Sequence, residues 1–372
     1  MSYETAGRTL GASKFTAVRT ITLPLFRAGL VTGTILCFAR SLSETGGTLI
    51  ALNTIGRGDD FFTGPTLIGT WKGLGDHEPA LAFVSILLIL LALVLLVVIK
   101  QVLMKVHIPF NKVWPMPEKR LSKGVFPKLK DGLSVSFLVF IILIPSFFIF
   151  AYVFTASPES SDWGALWDAL GYSFTVAAVV TAIDLLLGVP LALYVVKNGS
   201  GKLGATLDVL VNVPLIVPTA ALGFSLGLFW GGQSVIPSNG TLLVILAHVA
   251  FTYPLVVRNV AGAVEEVDPS YEETARTLGA RPLQSFRKVL YPMVKSSILA
   301  GSIMAFTRSL GETGATLAVN PDAKTAPVYI VNLIRDDQAF YQAAVACIVL
   351  IGVSYMAMLL LRYMTRKRKE AI

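Results

Sequence analysis

The chain has 372 residues, of which 54% are hydrophobic and 15% charged, with a mean hydropathy of +0.69. That composition excludes an ordinary soluble globular domain and places the chain in a lipid bilayer. The net charge of +8 is read as cytoplasmic loops obeying the positive-inside bias, so no nucleic-acid partner is expected.

The first twenty residues are polar and helix-like, which is not the pattern of a cleavable signal peptide. Spans of about 20 apolar residues are then expected near 25–51, 80–104, 132–156, 170–196, 204–231, 239–260, 293–319 and 338–364. The fold expected is therefore all-α and polytopic, with about eight transmembrane helices. The stretch near 80–100 is apolar on every face, as a lipid-facing helix is. The one holding Asn212, Pro214, Pro218 and Gly223 carries interruptions that are tolerated where a cavity or neighbouring helices satisfy the backbone. Lys105, Lys112, Lys119, Arg120, Lys123, Lys128 and Lys130 load the linker before Asp131, and Arg362, Arg366, Lys367, Arg368 and Lys369 load the tail. Both regions read as cytoplasmic, which puts both termini inside a multi-pass cell-membrane protein. Cys37 and Cys347 sit in apolar stretches, so neither a disulfide framework nor a metal site is expected. His248 and Asp184 stand alone in apolar surroundings and are read as buried, hydrogen-bonded side chains.

A shift of 268 residues lays SYETAGRTLGA, from Ser2, onto SYEETARTLGA, from Ser270, without gaps. Arg19 falls on Arg287, Pro24 on Pro292, and the run ARSLSETGGTL from Ala39 on TRSLGETGATL from Thr307. Such a duplication is the mark of a parallel-repeat transporter. Each copy offers a short charged helix, a Gly able to take the positive backbone angle of a helix end, and a Pro suited to the first turn of the next helix. The chemistry of that spacing is mechanical: a helix-turn-helix lever, with no catalytic residue in it.

The pattern E-A-A, three residues, G, nine residues, I-x-L-P resembles the signature loop of ABC importer permeases. Here it reads Glu273, Thr274, Ala275, Gly279, Val289 and Pro292, with Tyr291 in the Leu place. The first copy reads Thr5, Ala6, Gly7, Gly11, Ile21, Leu23 and Pro24, and Glu4, aligned with Glu272, keeps a negative charge where Thr5 replaces the family's Glu. The resemblance implies a type I ABC importer permease fold, two copies of an ABC ATPase subunit gripping the two loops, and an extracytoplasmic solute-binding protein. It implies that this chain binds no cofactor and that the partner ATPase hydrolyses ATP. In agreement, no phosphate loop, dinucleotide turn or nucleophile elbow is found in the sequence. The resemblance divides the chain into a first repeat over 1–106 (the loop plus two spans), a basic cytoplasmic linker over 107–131, and a complete six-span permease domain over 132–372. Four spans expected before the first loop are missing, so a fragment or a displaced start is expected.

Arg40 and Glu44 lie four apart, as do Arg308 and Glu312 in the second copy, which is the spacing of neighbours on one helix face. Charges inside a membrane are costly, and are paired or face a cavity. These four, with Thr48, Thr316, Asn212 and Pro218, are the candidates for the translocation pathway, against a purely structural ion pair near a helix break. The run around Arg308 is similar to permeases for sulfate, molybdate and tungstate, where R-x-L-G-E-x-G-A-T recurs, so an inorganic oxyanion is the expected solute. Ferric-iron and thiamine importers, which are fused double permeases, form the alternative. A lipid-modifying membrane enzyme is the reading from another class, but it lacks the converging acids, His or Cys that it would need.

Overall fold

In a computed structural model of the chain, residues 2–58, 60–75, 78–105, 114–122, 125–156, 162–199, 201–231, 240–335 and 339–366 are described. Among them there is no strand. The basic residues Lys112 and Lys123 of the linker, and Lys367, Arg368 and Lys369 of the tail, lie outside the described residues.

The helices in chain order are α1 (Ser2–Thr9), α2 (Lys14–Ala17), α3 (Arg27–Leu42), α4 (Gly46–Thr54), α5 (Gly64–Leu74), α6 (Glu78–Lys105), α7 (Pro115–Ser122) and α8 (Val125–Thr155). They continue with α9 (Trp163–Lys197), α10 (Lys202–Ile216), α11 (Thr219–Leu226), α12 (Gly240–Glu265), α13 (Ser270–Thr277), α14 (Pro282–Leu310), α15 (Gly314–Val319), α16 (Ala326–Arg335) and α17 (Phe340–Arg366). Among the described residues six helices are long and apolar enough to cross a membrane, within α6, α8, α9, α12, α14 and α17. A seventh span results if α10 and the helix Thr219–Gly231, bent by 108° at their junction, are counted together. That bend falls at Val217 and Pro218, where the sequence places its interruptions. The span expected near 25–51 is interrupted after Leu42, and the one near 293–319 after Leu310.

Packing groups the residues into two compact units, Met1–Phe38 with Val94–Ser157, and Ala39–Leu93 with Pro158–Ile372. In the first unit, α7 packs on α2, and α8 buries none of its residues. In the second, α9, α12 and α14 pack around Ala192, Val256, Val257, Val260, Val294 and Ala305. Small residues bring these backbones close: a Cβ on Gly301 would lie 3.1 Å from the Cα of Val256. Close approach of this kind is how helices gain contact in lipid, where water supplies no driving force between them. A second cluster, with Val176, Val180, Val244, Phe251 and Ala315, seats the short α15 against α9 and α12.

Candidate functional site

The two loops repeat in three dimensions as they do in sequence. Gly11 and Gly279 adopt φ of 92° and 87°, the left-handed region that L side chains avoid. Each closes its helix by the paired bonds of a Schellman turn. Ala12 N–H donates to Gly7 O at 3.1 Å and Gly11 N–H to Arg8 O at 3.1 Å, while Ala280 N–H donates to Ala275 O at 3.0 Å and Gly279 N–H to Arg276 O at 3.0 Å. After the turn both copies pass through one π turn, Val18–Thr22 and Phe286–Leu290, just before Pro24 and Pro292. Proline was expected to open a new helix. Pro24 and Pro292 stand in the first turn of the α segments Leu23–Leu25 and Tyr291–Leu310, the latter continuous with the rest of α14, and the widened turn before each accommodates a ring that clashes with the carbonyl four residues back.

Glu4, Ala6 and Gly7 lie on α1, and Glu272, Glu273, Thr274 and Ala275 on α13. Glu272 pairs with Lys197 at 2.6 Å, fixing α13 to the end of α9. Before it, the Ser270 N–H donates to Asp268 at 2.9 Å, and this bond holds the Asp268 carboxyl below the usual carboxylate range. Sequence reasoning passed over one feature of both helices. Tyr3 and Leu10 in the first copy, and Tyr271 and Leu278 in the second, are each more than half exposed. Large apolar side chains stand out on helices that are otherwise polar. Their recurrence at one spacing was the signal available in the sequence.

The Arg and Glu pairs sit at helix breaks. α14 ends at Leu310 and α15 begins at Gly314; α3 ends at Leu42 and α4 begins at Gly46. In both copies the Glu turns back to cap the next helix, Gly47 N–H donating to Glu44 Oε1 at 3.0 Å and Ala315 N–H to Glu312 Oε1 at 3.0 Å. Arg308 pairs with Glu312, and Arg40 with Glu44 at 3.6 Å. The two breaks are packed against one another in a reciprocal way: a Cβ on Gly46 would lie 2.6 Å from Thr313 Oγ1, and one on Gly314 would lie 2.5 Å from Thr45 Oγ1. Exposure separates the two pairs. The side chains of Arg308 and Glu312 are 20% and 3% accessible, against 50% and 43% for Arg40 and Glu44.

Distant residues complete the buried copy. Thr219, which follows the buried Pro218, donates its hydroxyl to Glu312 Oε1 at 2.8 Å, and its N–H donates to Ser43 Oγ at 2.9 Å. The ring of His248 bridges Ser309 Oγ (2.8 Å) and Thr316 Oγ1 (2.9 Å). Because the Thr316 hydroxyl donates to Glu312 O at 3.2 Å, Nε2 of His248 is the donor to Thr316. The Arg308 guanidinium lies 4.9 Å from the Phe251 ring centroid, within cation–π range. Every charge in this cluster is met, so the break is held rigidly.

Asn212 is not part of that cluster. Its Oδ1 accepts from Arg258 Nε at 2.7 Å, while Arg258 Nη1 donates to Asp208 Oδ1 at 2.7 Å, so these residues tie α10 to α12. Thr48 lies on the first turn of α4, partly exposed.

The family of binding-protein-dependent transport system inner membrane components matches residues 184–370. The sulfate transport system permease protein CysT of Salmonella typhimurium is 35% identical over 254 residues, covering 60% of this chain and 87% of its own. The molybdenum transport system permease protein ModB of Escherichia coli is 29% identical over 220 residues, covering 55% of this chain and 95% of its own. A solved bacterial ABC transporter involved in import of the acidic polysaccharide alginate aligns with a TM-score of 0.48 at 14% identity, over 65% of this chain and 95% of that one. With the repeated loops and the family match over its second half, the chain belongs to the inner-membrane permeases of ABC importers, which are transport proteins rather than enzymes.

Proposed function

We propose that the chain carries an inorganic oxyanion of the sulfate and molybdate class into the cell, driven by two ATPase subunits that seat on α1 and α13. The observation that carries this reading is the similarity to a sulfate permease over 254 residues. A solute-binding protein delivers the anion to the outer face, and the basic linker and tail lie in the cytoplasm with both termini. Closure of the ATPase dimer on ATP moves the loops and switches the spans between inward-open and outward-open states. The work comes from the ATPase dimer's different affinity for those two states. In this reading Arg40, Glu44, Thr48, Arg308, Glu312, Thr316 and Pro218 border the pathway at the two breaks, with Asn212 beside it on α10. The Arg–Glu pairs act as hinge pins, and the hydroxyls make the contacts with the anion.

The test is uptake into proteoliposomes holding the chain, its ATPase and its binding protein, with labelled sulfate, molybdate, ferric ion and thiamine supplied in turn. ATP-dependent uptake of one oxyanion is expected. Uptake of ferric ion or thiamine alone would move the chain to the other branch of fused permeases and leave both Arg–Glu pairs with a structural role only.

A further inference from the structure

The linker helix α7 has no part in the transport reading, yet it carries the most completely satisfied carboxylate of the first unit. Glu118 is 1% exposed. It accepts from Thr16 Oγ1 at 2.5 Å, from Arg19 Nη2 at 2.5 Å and from the Trp114 N–H at 3.2 Å. The Arg19 guanidinium also lies 5.6 Å from the centroid of the Trp114 ring. One turn on, the Ser122 hydroxyl accepts from the Phe15 N–H at 3.0 Å and donates to Ser13 Oγ at 3.0 Å. Ser13, Phe15, Thr16 and Arg19 all belong to the segment that runs from the first loop into its span.

This clasp is not simply what such a loop needs in order to fold. Among the described residues, the second loop forms the same turn and the same π segment without one. There the residue aligned with Arg19, Arg287, is exposed, and the residue aligned with Thr16, Gln284, accepts from its own Arg281 N–H at 3.0 Å. A buried carboxylate is costly unless paired and fully hydrogen-bonded, so burying one at the junction of linker and loop is a specific commitment. In sequence, two residues separate α7 from α8, the 31-residue span that opens the second half.

Resting on the transport reading above, we infer that Glu118 is a positioning residue for coupling. Through Thr16 and Arg19 it fastens the linker to the first ATPase-facing loop, so that displacement of that loop is delivered to α8 as well as to α3. One lever thereby moves a helix in each half of the chain. The link is expected to stay closed through the cycle, since the Glu118 carboxylate is met by three donors.

The experiment measures solute moved per ATP hydrolysed, with the full chain, its ATPase and its binding protein in proteoliposomes. Glu118→Gln and Arg19→Glu are expected to lower that ratio several-fold while ATP hydrolysis continues, and the exchange Arg19→Glu with Glu118→Arg is expected to restore it. In a Cys37→Ser, Cys347→Ser background, oxidising Ser13→Cys with Ser122→Cys should leave the ratio at its wild-type value and rescue Glu118→Gln. A wild-type ratio in unoxidised Glu118→Gln would overturn the inference. So would a disulfide that stops uptake, because the clasp would then have to open in each cycle. Should Glu118→Gln not assemble, the disulfide in the otherwise unaltered chain decides. If the wild type moves neither sulfate nor molybdate, the anion reading fails, and the ratio is read on whichever solute the binding protein delivers.

Discussion

Arg40 and Arg308 are one residue copied 268 positions apart, and their surroundings set what each is worth. Arg308 holds a Glu312 that is nearly inaccessible, whereas Arg40 and Glu44 are about half exposed. Removing one partner of a buried pair costs about 3–5 kcal/mol, while exposed pairs are worth about 0–1 kcal/mol. Arg308→Ala is therefore expected to lower the unfolding temperature of the purified chain markedly, and Arg40→Ala hardly at all. Equal shifts would mean that the two pairs share one environment. Glu118 gives a pH prediction. Burial alone would raise its carboxyl, but the bonds from Thr16, the Trp114 N–H and Arg19 outweigh burial and hold it below its ordinary value of 4.5. A carboxyl lowered in the folded state stabilises above its unfolded pKa, and that stabilisation is lost as pH falls through the folded value. Hydrogen exchange over residues 115–122 should thus be unchanged from pH 7 to 5 after correction for intrinsic rates, and should rise only as the pH drops below about 4.5. The i,i+4 spacing of each Arg and Glu was legible in the sequence because helix geometry dictates it. Their unequal burial was not legible, since it depends on Thr219, His248 and Phe251, which reach the site only through tertiary packing.

At the scale of elements, the levers were legible down to the glycine that ends each short helix, because few residues other than Gly tolerate that backbone angle. The π turns were not, for no residue type marks a turn that carries one extra residue. The breaks inside the spans near 25–51 and 293–319 fall on the polar runs that hold each Arg and Glu, and a helix break was one of the two readings those pairs allowed. Their mutual packing yields a prediction: Gly314→Ala places a methyl 2.5 Å from Thr45 Oγ1, an overpacking worth about 1–3 kcal/mol. Thr45→Ala removes that hydroxyl and should recover much of the loss in the double variant. Additive losses would show that the two breaks do not meet.

For the whole molecule, the sequence reads as a duplicated permease, yet spatial packing places Ala39–Leu93 with the second half of the chain. Repeats are read from similarity along the chain, whereas packing follows which surfaces can be buried together. The proposed ATPase-facing surface belongs to this scale as well. Tyr271→Ala and Leu278→Ala each remove an exposed apolar side chain, one from α13 and one from the residue that caps it, and a central contact residue is worth about 2 kcal/mol or more. Each should reduce recovery of the ATPase with the chain in detergent while leaving the chain's own melting temperature unchanged. Undiminished recovery in both would place the grip elsewhere. The π turn set at the same point of both copies has a consequence of its own. An α-helix advances about 100° per residue, so the register of that one wide turn sets the compass bearing of every residue beyond it, through to the break. In the second copy, where α14 runs on unbroken to Leu310, dropping one residue from that turn would swing Arg308 about 100° away from the face of Phe251.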